Sequence, residues 1–301
     1  MRPRVLVVGS GGQLGRLLAG ELAGLGELEA LGRAELDLAD VCAVRKAVRG
    51  AFGGLGPEVL VNAAAYTAVD RAEAEPELAL AVNGTAPGAM ADEMQRLGGW
   101  LVHYSTDYVF DGSGVAPWRE TDATGPLGVY GRTKLEGERA IWSAGCRAVV
   151  LRTSWVYAAV GKNFLHTMLR LGREREQLRV VDDQVGAPTS AEALVAGTAE
   201  ILRGIEAGTG AEGVFHLTCA GETSWAGFAR AIFAAFAGRQ RAPEVVGIST
   251  AEYRTAARRP LNSRLNCDKA AAELGVRLPH WEDALGRVAG AMLNERRVRR
   301  G

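Results

Sequence analysis

Tyr130 and Lys134 stand four residues apart in Val129-Tyr130-Gly131-Arg132-Thr133-Lys134. Four residues is about one helical turn, so a phenol and an ammonium share one helix face. A free tyrosine gives up its proton only near about pH 10. A lysine cation close by favours the phenolate and lowers that value. Such a pair suits proton donation to a carbonyl oxygen that is receiving a hydride. A hydride source is suggested by the glycine-rich turn Gly9-Ser10-Gly11-Gly12-Gln13-Leu14-Gly15, and Ser105-Thr106 lies between the two motifs.

The elements around these residues read as alternating strands and helices. Arg4-Val5-Leu6-Val7-Val8 is a short continuous apolar run, the pattern of a central parallel strand covered on both faces. The glycine turn follows at once, and Leu14 to Leu25 has helical spacing, which is the context a dinucleotide fingerprint requires. Further strands are expected at Leu28–Leu31, Val59–Asn62, Trp100–Ser105 and Ala148–Thr153, with helices near Val41–Phe52, Pro76–Leu97 and Tyr130–Ala144. This alternation predicts an α/β fold, a doubly wound parallel sheet of Rossmann type with right-handed crossovers. Residues 1–155 form the expected dinucleotide-binding domain, and residues 156–301 mainly a smaller C-terminal substrate-binding lobe. Helices at Asn163–Glu174 and Ala191–Ile205 and a strand at Gly213–Thr218 are expected there, with elements near 191–218 returning to the Rossmann sheet.

Glycines 9, 12 and 15 have the Gly-x-x-Gly-x-x-Gly spacing that permits a tight turn, a close approach to a pyrophosphate and helix-on-strand packing. Gly11, Gln13 and Leu14 complete the cofactor turn, whose helix N-terminus favours an anion. The second strand ends in Gly32-Arg33 where an NAD-preferring fold carries an acid. Glycine makes room and Arg33 can pair with a 2′-phosphate, so NADPH is the expected cofactor, with NADH open because Glu35 is near. Asp37-Leu38 either borders the adenine ring or supplies a cap to the Val41 helix.

Composition excludes several classes. The chain has 301 residues with 35 Lys and Arg against 35 Asp and Glu, so no global basic field draws nucleic acid. Cys42, Cys146, Cys219 and Cys267 lack metal-ligand spacing and read as buried thiols of a reducing compartment, not a disulfide frame. His103, His166, His216 and His280 have no ligand partners at zinc spacing. No apolar run approaches the roughly 20 residues that span a bilayer, and no leader pattern follows Met1. A cytoplasmic protein without membrane or nucleic-acid partners is the expectation. The basic stretch Glu295 to Gly301 reads as a solvated terminus.

The motifs together resemble the extended short-chain dehydrogenase/reductases. The matching segments are Val61-Asn62-Ala63-Ala64-Ala65-Tyr66-Thr67-Ala68-Val69-Asp70, His103-Tyr104-Ser105-Thr106-Asp107-Tyr108-Val109-Phe110 and the Tyr130–Lys134 segment. Arg152-Thr153-Ser154-Trp155-Val156-Tyr157, Asp183-Gln184-Val185-Gly186-Ala187-Pro188-Thr189 and Arg258-Arg259-Pro260-Leu261-Asn262-Ser263-Arg264-Leu265 follow in order. The last two are the specific ones, and they point to the members that reduce a dTDP-linked 4-keto sugar. The resemblance implies NADPH-dependent reduction of the C4 keto group of dTDP-4-dehydro-L-rhamnose to dTDP-L-rhamnose, by a monomer or homodimer.

The resemblance also implies roles. Tyr130 is the general acid for the C4 oxygen, Lys134 binds the nicotinamide ribose and lowers the Tyr130 pKa, and Thr106 hydrogen-bonds the same oxygen, with Ser105 its competitor. Ala63, Ala64, Ala65, Tyr66 and Thr67 lie along the cofactor, and Thr67 and Val69 near the sugar. Asp107 is expected to bond a sugar hydroxyl and Trp155 to wall the sugar or base. Gln184, Pro188 and Thr189 line the nucleotide cleft, while Arg258, Arg259, Asn262 and Ser263 face its diphosphate. Dehydratases of the family carry Thr-Asp-Glu where this chain has Thr106-Asp107-Tyr108, so the extra base for dehydration is missing. Some members bridge a dimer through Mg2+. Here the first helix reads Arg16-Leu17-Leu18 without an acid, although Glu192 and Glu295 match other ligands, so no metal site is expected. The competing expectations are another sugar-nucleotide reductase or epimerase, or a non-catalytic dinucleotide-binding regulatory subunit. A pure binding module needs no joint Thr106, Tyr130 and Lys134.

Overall fold

The computed structural model describes residues 3–52 and 58–298, with side chains described through residue 294. Its centre is a six-stranded sheet. In chain order the first elements are β1 (Arg4–Val8), α1 (Gln13–Leu22), β2 (Glu27–Leu31), α2 (Val41–Ala51) and β3 (Glu58–Asn62). They are followed by α3 (Ala86–Leu97), β4 (Trp100–Thr106), α4 (Val129–Ala144), β5 (Arg147–Thr153), α5 (Phe164–Glu174) and β6 (Gln177–Val181). Last come α6 (Ala191–Glu206), β7 (Gly213–His216), α7 (Trp225–Ala235), β8 (Glu244–Ile248) and α8 (Trp281–Val298). The sheet order is β7-β5-β4-β3-β1-β2 and every pair is parallel.

Continuous apolar strands are needed because both faces are covered. Val5, Val7, Val59, Val61, Val102 and Leu151 face one core with Leu18 and Leu22 of α1 and Leu194 of α6. Their alternates Leu6, Val8, Leu60, Leu101 and Val150 face a second core with Val44, Val48, Met90 and Ile141. The period of two therefore divides each strand between two layers, which is the doubly wound arrangement. Strand β7 is the outermost strand beside β5, pairing Gly213–His216 with Val149–Arg152.

The stretch expected as one helix over 76–97 is broken. Pro76–Leu80 is α-helical, Ala81–Thr85 is a π turn, and α3 resumes at Ala86. The bulge lets this stretch lie against α4 with backbones nearly touching, since a Cβ on Gly137 would collide with the Asn83 carbonyl. Apolar spacing alone carries no sign of such a bulge. The expected strand at 213–218 is shorter, and β8, which pairs in parallel with β6, was not anticipated because its residues are half-exposed. The cap of α2 is Asp40, whose carboxylate accepts from the Ala43 amide, rather than Asp37. No helix among the described residues is long and apolar enough to cross a membrane.

Candidate active site

The glycine turn fits a dinucleotide by what it leaves open. Gly9 has φ 93, and a Cβ there would lie 2.7 Å from the Ala64 amide nitrogen, so this turn and the Ala63–Thr67 segment pack backbone on backbone. A Cβ on Gly11 would meet nothing within 4 Å. Helix α1 enters at Gly12 with no side-chain cap and no acid in its first turn, so its first amides are available to an anion. Gln13 faces the other way, accepting from Asn163 Nδ2 at 2.7 Å, and Leu14 packs on the core. Arg33 is exposed beyond β2. The nearby Glu35 carboxylate accepts from the Gly32 amide at 2.8 Å, so it closes its own turn. Asp37 accepts from the Ala39 amide, and Leu38 is buried.

Beyond β3 the chain is pinned by residues that sequence reasoning missed. Asn83, buried in the π turn, accepts from the Tyr66 amide at 2.8 Å and donates to the Tyr66 carbonyl and the Thr133 hydroxyl. It ties the Ala63–Thr67 segment to α4. The available signal was an amide in the middle of a helical stretch, a position that a π turn frequently makes functional. Glu73 accepts from the Val129 amide at 2.7 Å and so caps α4, whose own cap Gly128 has no side chain. Farther along, Glu138 and Arg152 form a buried two-point ion pair at 3.0 and 2.7 Å between α4 and β5. Tyr130, Lys134 and Glu138 follow one another by single turns, so this pair anchors the helix face that carries the chemistry.

Alternation separates Ser105 from Thr106. The Ser105 hydroxyl donates to Glu138, on the structural side. The Thr106 hydroxyl donates to Asp107 Oδ1 at 3.1 Å and also hydrogen-bonds the Tyr130 phenol. Tyr108 stands edge-on to Tyr130 with centroids 5.5 Å apart. Burial pushes the Tyr130 pKa up to about 12, the Thr106 hydrogen bond opposes the rise, and the Asp107 charge adds to it. The expectation that Lys134 lowers it therefore does not hold in this arrangement. The Lys134 Nζ lies back in the strand layer, donating to the Tyr104 carbonyl at 2.6 Å and lying 3.1 Å from His103 Nε2. Asp107 is buried, its Oδ2 has no partner, and burial lifts its pKa to about 6 against hydrogen bonds from Ser263 and Thr106.

The second half reaches this centre unevenly. Val185–Gly186 pairs with Asn262–Ser263, which brings the two C-terminal motifs together, and Ser263 touches Asp107. Trp155 adopts φ 51, a left-handed conformation rare for a bulky residue. Its ring stacks on Trp225 at 3.7 Å and 11°. Gln184 holds Trp225 by accepting from the indole nitrogen at 3.2 Å and donates to Thr250. Pro188 and Thr189 are buried, and the Thr189 hydroxyl is engaged by the Ala187 carbonyl and Cys219 amide, so that hydroxyl is not presented to a cleft. Asn262 donates to the Ser113 and Ala116 carbonyls. Arg258 is exposed, whereas Arg259 forks onto Asp70 at 3.2 and 2.7 Å. Thr67 is exposed and Val69 half-buried, one residue before that aspartate.

No group of three or more His, Cys, Asp or Glu side chains among the described residues has metal-binding geometry. Glu192 accepts from the Ala159 amide, and the Glu295 side chain lies outside the described residues.

Residues 2–294 match the model of the RmlD substrate binding domain. The chain belongs to this family. Among curated relatives, a dTDP-4-dehydrorhamnose reductase of Sinorhizobium fredii is 45% identical over 297 residues, covering 97% of this chain and 98% of that protein. The Escherichia coli K12 protein of the same name is 44% identical over 294 residues, covering 97% of each chain. A solved structure, the dTDP-4-dehydrorhamnose reductase of Bacillus anthracis in complex with NADP, superposes with a TM-score of 0.88 at 33% identity, covering 96% of this chain and 99% of that one.

Proposed function

We infer that this RmlD-family chain is an NADPH-dependent oxidoreductase that reduces the C4 keto group of dTDP-4-dehydro-L-rhamnose, giving dTDP-L-rhamnose. The observation that carries the reading is a protonated Tyr130 phenol held by Thr106 at the end of β4, in a chain whose relatives share the activity along nearly their full length. Bound NADPH supplies the hydride that adds to C4. Tyr130 gives its proton to the C4 oxygen, which closes the balance to an alcohol. The phenol is in its donating form throughout the neutral range, and a cation brought beside it strengthens it as an acid by drawing its raised pKa back down. Thr106 orients the phenol and the carbonyl, and the free Asp107 Oδ2 accepts from a sugar hydroxyl.

The glycine turn, the α1 N-terminus and the Ala63–Thr67 segment hold the cofactor, and Arg33 pairs with its 2′-phosphate. Residues 156–301 act mainly as the substrate lobe. Trp155 on Trp225 gives the sugar nucleotide a flat wall, and Arg258 and Arg259 meet its diphosphate. Turnover is tested by the loss of reduced-nicotinamide absorbance with a panel of nucleotide keto sugars. The expected result is consumption of one NADPH per dTDP-4-dehydro-L-rhamnose. Tight NADPH binding without turnover of any 4-keto sugar would overturn the reading.

A further inference from the structure

Behind the catalytic tyrosine lies a buried chain of polar side chains whose protons can be counted. Asn62, at the end of β3, accepts from the Ala64 amide at 3.1 Å through its oxygen. Its nitrogen lies 3.0 Å from His103 Nδ1. On the far side of the ring, His103 Nε2 is 3.1 Å from Lys134 Nζ. Asn62 and His103 are fully buried and Lys134 nearly so. A neutral imidazole has one N–H and one lone pair. The Ala64 amide fixes which end of the Asn62 amide faces the ring, so His103 Nδ1 must accept. The proton then sits on Nε2 and points at Lys134. An ammonium has no lone pair to receive it, but a neutral amine has one. A neutral Lys134 satisfies every contact, because its own N–H donates to the Tyr104 carbonyl at 2.6 Å.

We propose that His103 is a positioning residue that holds Lys134 retracted and, at mildly alkaline pH, uncharged in the cofactor-free protein, and that loading the dinucleotide there releases the amine with uptake of up to one proton. The link to the cofactor is structural. Ala64, which fixes the Asn62 amide, is the residue whose backbone packs on Gly9 of the glycine turn. A dinucleotide seated on that turn bears on the same segment, and its ribose hydroxyls offer an amine the acceptors that His103 does not. The proposal rests on the assignment of Lys134 to the ribose. Its test reads cofactor binding and lysine titration, not sugar turnover, so it fails or stands independently of the substrate.

Other charges around Lys134 do not mimic the effect. Glu138 on its own helix is paired with Arg152 of β5, and Glu73 is engaged with the head of α4. Asp107 beyond β4 titrates near 6 and Tyr130 near 12, so both are silent between pH 7 and 9. Burial lowers the Lys134 pKa to about 8, with Glu138 opposing, and holds His103 well below its ordinary value, neutral.

The chain has four lysines, Lys46, Lys134, Lys162 and Lys269, so each Cε resonance is resolvable in lysine-labelled protein. In the empty enzyme one of them should titrate near 8. Calorimetric titration with NADPH in buffers of contrasting ionisation enthalpy should show proton uptake rising from about 0.1 at pH 7 to about 0.9 at pH 9. His103→Gln offers the ammonium an acceptor oxygen, and Asn62→Asp turns the imidazole over by accepting from Nδ1. Each should cut the pH 9 uptake at least about threefold and move the lysine midpoint up by more than about one pH unit, burial holding it short of its ordinary value near about 10.4. Thermal melts establish that the variants are folded, and either one suffices. An empty enzyme whose lysines all titrate in the ordinary range, NADPH binding without proton uptake at pH 9, or full uptake in a folded His103→Gln would overturn the proposal.

Discussion

The two ends of the site are built on opposite plans. Where β4 meets α4, Thr106, Asp107 and Lys134 are buried and Tyr130 is half-buried, on elements held by Glu73, Asn83 and the Glu138–Arg152 pair. Around residues 258–264, Arg258 is exposed, Arg264 is half-buried against Glu222, and the half-buried Arg259 is already occupied by Asp70 across a sequence separation of 189. A proton donor gains from rigid burial, because its geometry must be ready before the reaction. A handle for a charged nucleotide gains from an exchangeable partner, because an ion pair still open to solvent on its carboxylate side can be replaced by another anion. The comparison teaches that substitutions at the first end should act on rate and those at the second on affinity.

The largest effect is expected at Tyr130. Tyr130→Phe removes one oxygen and should lower kcat by roughly 10²–10⁴-fold with NADPH affinity unchanged. A variant that keeps a third of the rate would break the first half of the comparison. Arg259→Ala should raise the substrate KM by about tenfold or more, the worth of a charge-assisted hydrogen bond. Asp70→Asn, which leaves the arginine free, should change KM less than about threefold. If the two variants behaved alike, the ion pair itself and not diphosphate capture would be the function of Arg259. Arg33→Ala should weaken NADPH by about 10-fold while leaving NADH within about twofold, read by fluorescence titration of both cofactors.

Asp107 sharpens the contrast through stability. Its folded pKa of about 6 lies above the ordinary carboxylate value of 3.8. Between those values the folded state binds more protons than the unfolded one, so stability falls as pH rises from about 4 to 6 and stays lower above it. Asp107→Asn should therefore stabilise the cofactor-free protein at pH 7 by on the order of 2 kcal/mol, with the gain fading below about pH 5, while slowing turnover. Thermal melts across that range check it. A variant destabilised at pH 7 would show that the hydrogen bonds of Ser263 and Thr106 to the carboxylate outweigh its burial.

Much of the first end was legible in the sequence. Strand, glycine turn and helix are local patterns, and Tyr130 and Lys134 share a helix face by arithmetic. Alternation also required that Ser105 and Thr106 part company, although not which of them faced Tyr130. The rest depends on pairs that no local rule contains. Lys134 was expected to face the cofactor, yet burial beside His103 and the Tyr104 carbonyl draws its head into the strand layer. Pro188 and Thr189 lie in a specific motif, but both are buried, and the Thr189 hydroxyl is spent on the Ala187 carbonyl and the Cys219 amide. The Asp70–Arg259 pair and the Trp155–Trp225 stack join residues far apart in the chain, and only the fold brings them into contact.

The central claim is that a hydride adds to the sugar C4 while Tyr130 protonates its oxygen. It is tested most directly with NADPH deuterated at the transferring position and dTDP-4-dehydro-L-rhamnose, followed by carbon and proton NMR of the product. The account predicts one deuterium on C4 of dTDP-L-rhamnose in the wild type, and almost none in the same time with Tyr130→Phe. Deuterium at another carbon, or equal labelling by the two proteins, would contradict it.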